Sequence, residues 1–183
     1  MYWGLIPLIE YGEGLVDVLR RLFSEGRLLI LGTGNILRGD DGIGVLVAKR
    51  LRRLVKGLKN VKVVACESGL ENMTYLVGLY RPTHILIIDA IYVVNGLPGD
   101  IYILKPEDLS NYQSVTTHHL PLKLIVDYMR SYVDAEVTII GVQVKNIDLG
   151  SRLSDEVLKA YEYLINVFKE VISSGSVSKD LSN

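Results

Sequence analysis

Leu29-Ile30-Leu31-Gly32-Thr33-Gly34-Asn35-Ile36-Leu37-Arg38-Gly39-Asp40-Asp41-Gly42-Ile43-Gly44 runs from an apolar segment through a glycine turn into a stretch of helical period. Leu28 to Gly32 reads as a buried strand and Gly42 to Leu54 as the helix after it, with Ile43, Val47, Leu51 and Leu54 on one side. The glycines at 32 and 34 invite a dinucleotide-binding reading, because they let backbone amides approach a phosphate. Two features oppose it. The third glycine of that fingerprint falls at Leu37, and the carboxylates of Asp40 and Asp41 stand at the helix entrance, where a pyrophosphate would sit. Negative charge there repels a phosphate and attracts a cation.

The same rhythm of strand, turn and helix recurs outward from this segment. Val61 to Ala65 and Asn72 to Tyr80 form the next strand and helix. Ile85 to Ile88 is an unbroken apolar run expected of a central strand covered on both faces, with Asp89 at its C-terminal end. Asn95-Gly96-Leu97-Pro98-Gly99 is too rich in turn residues for a helix, so Asp100 to Leu104 is expected to return as a neighbouring antiparallel strand. Pro121 starts a helical pattern in which Leu120, Leu124, Ile125, Tyr128 and Met129 share a face. Val137 to Val142 reads as a strand, and a long last helix carries Leu153, Val157, Tyr161, Leu164, Phe168 and Ile172 inward, with Ser154 as its start signal. The expected fold class is α/β, a three-layer αβα sandwich around a twisted, mostly parallel sheet with one antiparallel strand. Residues 27–173 form the domain, 1–26 an extension whose Leu15, Val18, Leu19 and Leu22 recur at helical spacing, and 174–183 a polar, flexible tail.

Composition narrows the function classes. A 49% hydrophobic chain of this length buries one substantial core. Twenty basic and twenty-one acidic side chains leave a net charge of -1, so no global field draws nucleic acid or an anionic membrane. No apolar run approaches the roughly 20 residues that span a bilayer, so membrane insertion is not expected. The single cysteine, Cys66, can form neither an internal disulfide nor a Cys-rich metal site, which fits a reducing cytoplasm.

In open α/β sheets the functional crevice lies beyond the carboxyl ends of the strands. Three loops there would present Asp41, Asp89 and His118, a set suited to a divalent first-row metal. Each residue also has a plainer reading. Acidic residues at a helix start complement its dipole, a lone Asp ending a strand often caps a turn, and a lone His is often a hydrogen-bonded structural residue. His119 is a rival ligand to His118, and Thr116 and Thr117 can orient either ring. His84 starts its strand and falls at the opposite end of the sheet. A serine or cysteine nucleophile is disfavoured, because Cys66 lies in a strand-end motif and no serine sits near His118 in an elbow.

Four blocks in order resemble the hydrogenase maturation peptidases: Gly34 to Gly44, Glu67-Ser68-Gly69-Leu70-Glu71-Asn72, Arg81-Pro82-Thr83-His84-Ile85-Leu86-Ile87-Ile88-Asp89-Ala90, and Thr116-Thr117-His118-His119-Leu120-Pro121-Leu122. The resemblance spans about Arg27 to Phe168 and looks most like the branch serving formate-linked or membrane-bound, energy-converting hydrogenases. It departs at Ser68-Gly69-Leu70, where relatives often carry a Gly-Thr or Gly-Ser pair.

The resemblance implies an endopeptidase that removes the C-terminal extension from a nickel-loaded [NiFe]-hydrogenase large-subunit precursor, cutting after a basic residue. It implies a cytoplasmic monomer with no organic cofactor, whose nickel arrives in the substrate. Asp41, Asp89 and His118 become the metal-contacting residues. Asp41 and Asp89 are also general-base candidates, as in an aspartic-type endopeptidase, and Asn35, Asp40, Thr117 and His119 are substrate or supporting candidates. Two other readings stand beside it: a non-enzymatic nickel-dependent chaperone of the precursor, and a nucleotide-binding module using Gly32 and Gly34.

Overall fold

A computed structural model describes residues 8–9, 14–110, 113–114 and 121–176, with side chains described for 14–109 and 121–174. The strands are β1 (Leu8–Ile9), β2 (Leu28–Thr33), β3 (Val61–Cys66), β4 (His84–Tyr92), β5 (Ile101–Leu104), β6 (Gln113–Ser114) and β7 (Glu136–Gln143). The helices are α1 (Leu15–Ser24), α2 (Ile43–Leu54), α3 (Tyr75–Tyr80), α4 (Leu122–Arg130) and α5 (Asp155–Ser176). The strands form a mixed sheet in the order β1-β5-β7-β4-β2-β3, with β6 pairing the end of β4. β3, β2, β4 and β7 run parallel, and β5 runs antiparallel beside β7.

Period-2 alternation assigns the two faces of the sheet. Leu28 and Ile30 of β2, with Leu86 and Ile88 of β4, join the apolar cluster built on α1, α2 and α5. Leu29, Leu31, Ile85 and Ile87 join the opposite cluster, with α3 and α4. Both faces are covered, which is why β2 and β4 read as continuous apolar runs. Leu15, Val18, Leu19 and Leu22 of α1 are buried in the same cluster as α5, so this helix is an integral part of one layer.

The expected three-layer architecture is present, with local departures. The antiparallel strand after Gly99 is there, but β7 separates β5 from β4. A strand buried along its length from Val137 to Gln143 takes the interior position, and the four-residue β5 is left nearer the edge. The segment expected as a helix over 72–80 is split into a 3-10 turn at Glu71–Met73 and the short α3. On α4 the buried face is Leu122, Ile125, Val126 and Met129, whereas Leu124 and Tyr128 are exposed. Leu124 and Tyr128, four apart, form a row that flanks the buried stripe and faces solvent. Leu120 lies outside the described residues, as does the tail beyond Ser176.

The join between α2 and the sheet is unusually close. A Cβ on Gly44 would lie 2.1 Å from the carbonyl oxygen of Ile88 and 2.4 Å from that of Thr33. A Cβ on Gly32 would lie 2.1 Å from the carbonyl oxygen of Gly44. Only glycine allows the helix start to sit against the ends of β2 and β4. Gly44→Ala must push backbone away from backbone, and should destabilise the fold by about 3 kcal/mol. Urea denaturation followed by circular dichroism should report a lowered midpoint at unchanged slope; a wild-type midpoint would refute the close join.

Candidate active site

Three parallel strands deliver polar side chains to one place. Thr33 at the end of β2 pairs with Cys66 at the end of β3, and Gly32 pairs with Ile88, which sets Asp89 beside Thr33 on the other flank. Thr33, Cys66 and Asp89 share the strand parity of Leu29, Leu31 and Ile87, and so the face covered by α3 and α4. All three are buried. β4 runs three residues past Asp89 to Tyr92, so Asp89 does not end its own strand as expected from the sequence. It does lie level with the end of β2.

Asp41 comes from the 3-10 turn Gly39–Gly42 that leads into α2 and packs on β4. Gly34, at φ +127°, permits this turn: a Cβ there would fall 1.8 Å from the Asp41 carbonyl oxygen and 3.4 Å from its Oδ1. Gly44, pressed on the Ile88 carbonyl, fixes the turn three residues upstream against the strand that bears Asp89. The structure therefore brings Asp41 and Asp89 to the same end of the sheet, at 1% and 0% exposure. Asp89 Oδ1 accepts the Ala90 amide at 2.9 Å. Two carboxylates this deeply buried suit a site completed by a cation or by shared protons.

Asp40 is used differently. Its carboxylate accepts the backbone amides of Lys145, Asn146 and Ser154 at 2.9, 2.9 and 2.7 Å and the Ser154 hydroxyl at 2.9 Å. It clamps the loop after β7 and the start of α5 to the glycine-rich turn. Ser154, expected as the helix N-cap, spends its hydroxyl on this clamp, while its carbonyl accepts the Leu158 amide at 2.8 Å. Asn35 shapes the loop as well, its Oδ1 accepting the Leu37 amide at 2.9 Å.

Burial, reinforced by the neighbouring charges of Asp89 and Glu71, pushes the Cys66 thiol up to about 12. Glu71, not singled out among the sequence candidates, is thus part of the electrostatic surroundings. Its carboxylate folds over Gly69, where a Cβ would lie 2.5 Å from Oε1. The signal was its place in the Glu67 to Asn72 block, two residues after a positive-φ glycine.

His118, His119 and Thr117 lie outside the described residues. Among the described residues no group of three or more His, Cys, Asp and Glu could hold a metal, and the third residue of the expected set lies outside them. His84 sits at the far end of the sheet, as expected, 3.8 Å from Glu25 and 3.7 Å from Glu136. A cavity of about 710 Å³ lies at that end too, lined by Arg21, Lys105, Arg130, Glu136 and Thr138, and contains none of the candidate residues.

A family model described as hydrogenase maturation protease matches residues 45–171. A putative hydrogenase maturation protease of Methanocaldococcus jannaschii is 34% identical over 168 residues, covering 88% of this chain and 98% of that protein. The chain belongs to the hydrogenase maturation protease family. The hydrogenase 3 maturation protease of Escherichia coli K12 is 36% identical over 116 residues, 63% of this chain and 71% of that one. The crystal structure of a [NiFe] hydrogenase maturation protease from Thermococcus kodakarensis superposes with a TM-score of 0.74 at 30% identity, covering 85% of this chain and 99% of that chain.

In this maturation protease the geometry gives Asp40 a structural role. Removing the Asp40 carboxylate strands three backbone amides and a hydroxyl, so Asp40→Ala should destabilise by about 3 kcal/mol or more and lower Tm by about 6–12 °C. Ser154→Ala, which removes one of the four bonds, should cost about 1 kcal/mol. Scanning calorimetry checks both; equal losses would deny the clamp. With its pKa near 12, the thiolate fraction of Cys66 at pH 8 is about one in ten thousand. Native protein should therefore resist iodoacetamide and react only once unfolded, as read by intact mass.

Proposed function

We propose that this protease removes the C-terminal extension of a [NiFe]-hydrogenase large-subunit precursor, and that Asp41, Asp89 and His118 recognise nickel already carried by that substrate. The observation that carries the reading is the pair of deeply buried carboxylates, one from the turn before α2 and one from β4, held at one end of the sheet. Carboxylates and imidazole suit nickel, and they hold it as a substrate feature while the scissile bond lies nearby. Asp41 or Asp89 then serves as general base. A water oxygen bonds to the carbonyl carbon, its proton passes to the carboxylate and on to the amine nitrogen, and the C–N bond breaks. The buried, protonated state of Cys66 supports water as nucleophile over the thiol.

The rim favours a peptide. Ile36, Leu37 and Leu149 are exposed, and the Gly150 amide donates to the Leu37 carbonyl at 2.7 Å, so apolar residues from two loops adjoin beside the Asp41 turn. We place the protein in the cytoplasm as a monomer on the strength of the family resemblance; no helix among the described residues is long and apolar enough to cross a membrane.

Purified protein should shorten a nickel-loaded large-subunit precursor and leave a nickel-free one intact. Equal cleavage of both would sink the recognition step, and nickel-dependent binding without a mass change would favour a chaperone. Asp41→Asn and Asp89→Asn should each lower processing by about 100-fold or more while the protein stays folded. His118→Ala should abolish processing and His119→Ala weaken it less; the reverse order would move the ligand to His119.

A further inference from the structure

Thr33 is a buried polar side chain left unsatisfied by the described residues. It is 1% exposed, and no group among the described residues hydrogen-bonds its Oγ. A buried hydroxyl without a partner is destabilising, so its persistence asks for a ligand. Its place supplies one. Thr33 lies between Cys66 on β3 and the residue register of Asp89 on β4, on the same sheet face as both. Gly34, next in sequence, closes on Asp41.

From this placement we infer that Thr33 is a positioning residue that holds the hydrolytic water against Asp89. Neighbouring strands are about 4.8 Å apart, and one water bridging a hydroxyl and a carboxylate spans up to about 5.6 Å with two ordinary hydrogen bonds. A buried water needs two or more polar partners, and the threonine hydroxyl and the carboxylate meet that need. The alternatives on this face are poorer: Cys66 offers a weak thiol donor, and the leucines and isoleucines offer none. The hydroxyl can donate to the water oxygen while the water donates to Asp89, which aims a lone pair away from the carboxylate.

This inference rests on the hydrolytic reading above, and its test separates the two. Thr33→Val keeps the shape and replaces the hydroxyl by a methyl group. Assayed by mass spectrometry on nickel-loaded precursor, Thr33→Val should lower kcat by about 10- to 100-fold with KM little changed, because ordering of the water is lost while substrate contacts remain. Its Tm should be equal to wild type or higher, since the unpaired hydroxyl is gone. Thr33→Ser should restore most of the turnover. Wild-type kcat in Thr33→Val overturns the inference, as does a large loss of Tm, which would mean that the hydroxyl supports the resting fold. A kcat loss in Thr33→Ser equal to that in Thr33→Val also overturns it. Failure of the wild-type protein itself to cleave refutes the hydrolytic reading, and this inference falls with it.

Discussion

The approach of α2 to the ends of β2 and β4 is the constraint on which the site depends. With hydrogen in place of Cβ at Gly44, the first turn of the helix rests on the carbonyls of Ile88 and Thr33. A wider separation would let water between helix and sheet and would carry the Asp41 turn away from Asp89. The same approach buries Asp41 in the turn that leads into the helix, at the end where helix amides present partial positive charge.

Adjacent aspartates in one turn meet opposite fates because the turn alternates which side it faces. Asp40 looks toward the loop after β7 and the start of α5, where four donors converge on it. Asp41 looks toward the strand ends. The clamp made by Asp40 links residues more than a hundred positions apart, so the turn is braced from the α5 side and pressed on the sheet from the other. A braced turn matters to chemistry, since a carboxylate displaced by about 1 Å loses much of its effect on a reacting group.

Much of this was legible in the sequence. Unbroken apolar runs at Leu28 and Ile85 identified buried parallel strands, and the glycine spacing around Asp40 and Asp41 marked a turn with little room. What was not legible depended on tertiary choices. β7 entering between β4 and β5 is decided by which strand has more apolar surface to bury, a comparison across the whole chain. Ser154 carries a helix-start signature, yet a carboxylate 114 residues away claims its hydroxyl. Leu124 and Tyr128 fit a helical stripe, but the sheet and its neighbours cover the adjacent stripe of Leu122, Ile125, Val126 and Met129 instead. Thr33 lay inside the most informative segment and drew no attention, because an unsatisfied hydroxyl is a property of surroundings and not of spacing.

The two ends of the sheet treat charge in contrasting ways. At the amino ends of β4 and β7, His84, Glu25, Arg21 and Glu136 form a network open to solvent, with Arg21 and Glu136 2.8 Å apart. Water and salt screen such pairs, so they add little to stability and project little field. At the carboxyl ends, where Asp41 is also buried, the thiol of Cys66 is pushed far upward by its own burial and then by the charges of Asp89 and Glu71. Field that is unscreened at this end acts on whatever enters. Buried carboxylates favour a cation over an anionic phosphate. That asymmetry, set by where helix starts meet strand ends, opposes a nucleotide phosphate at the glycine-rich turn.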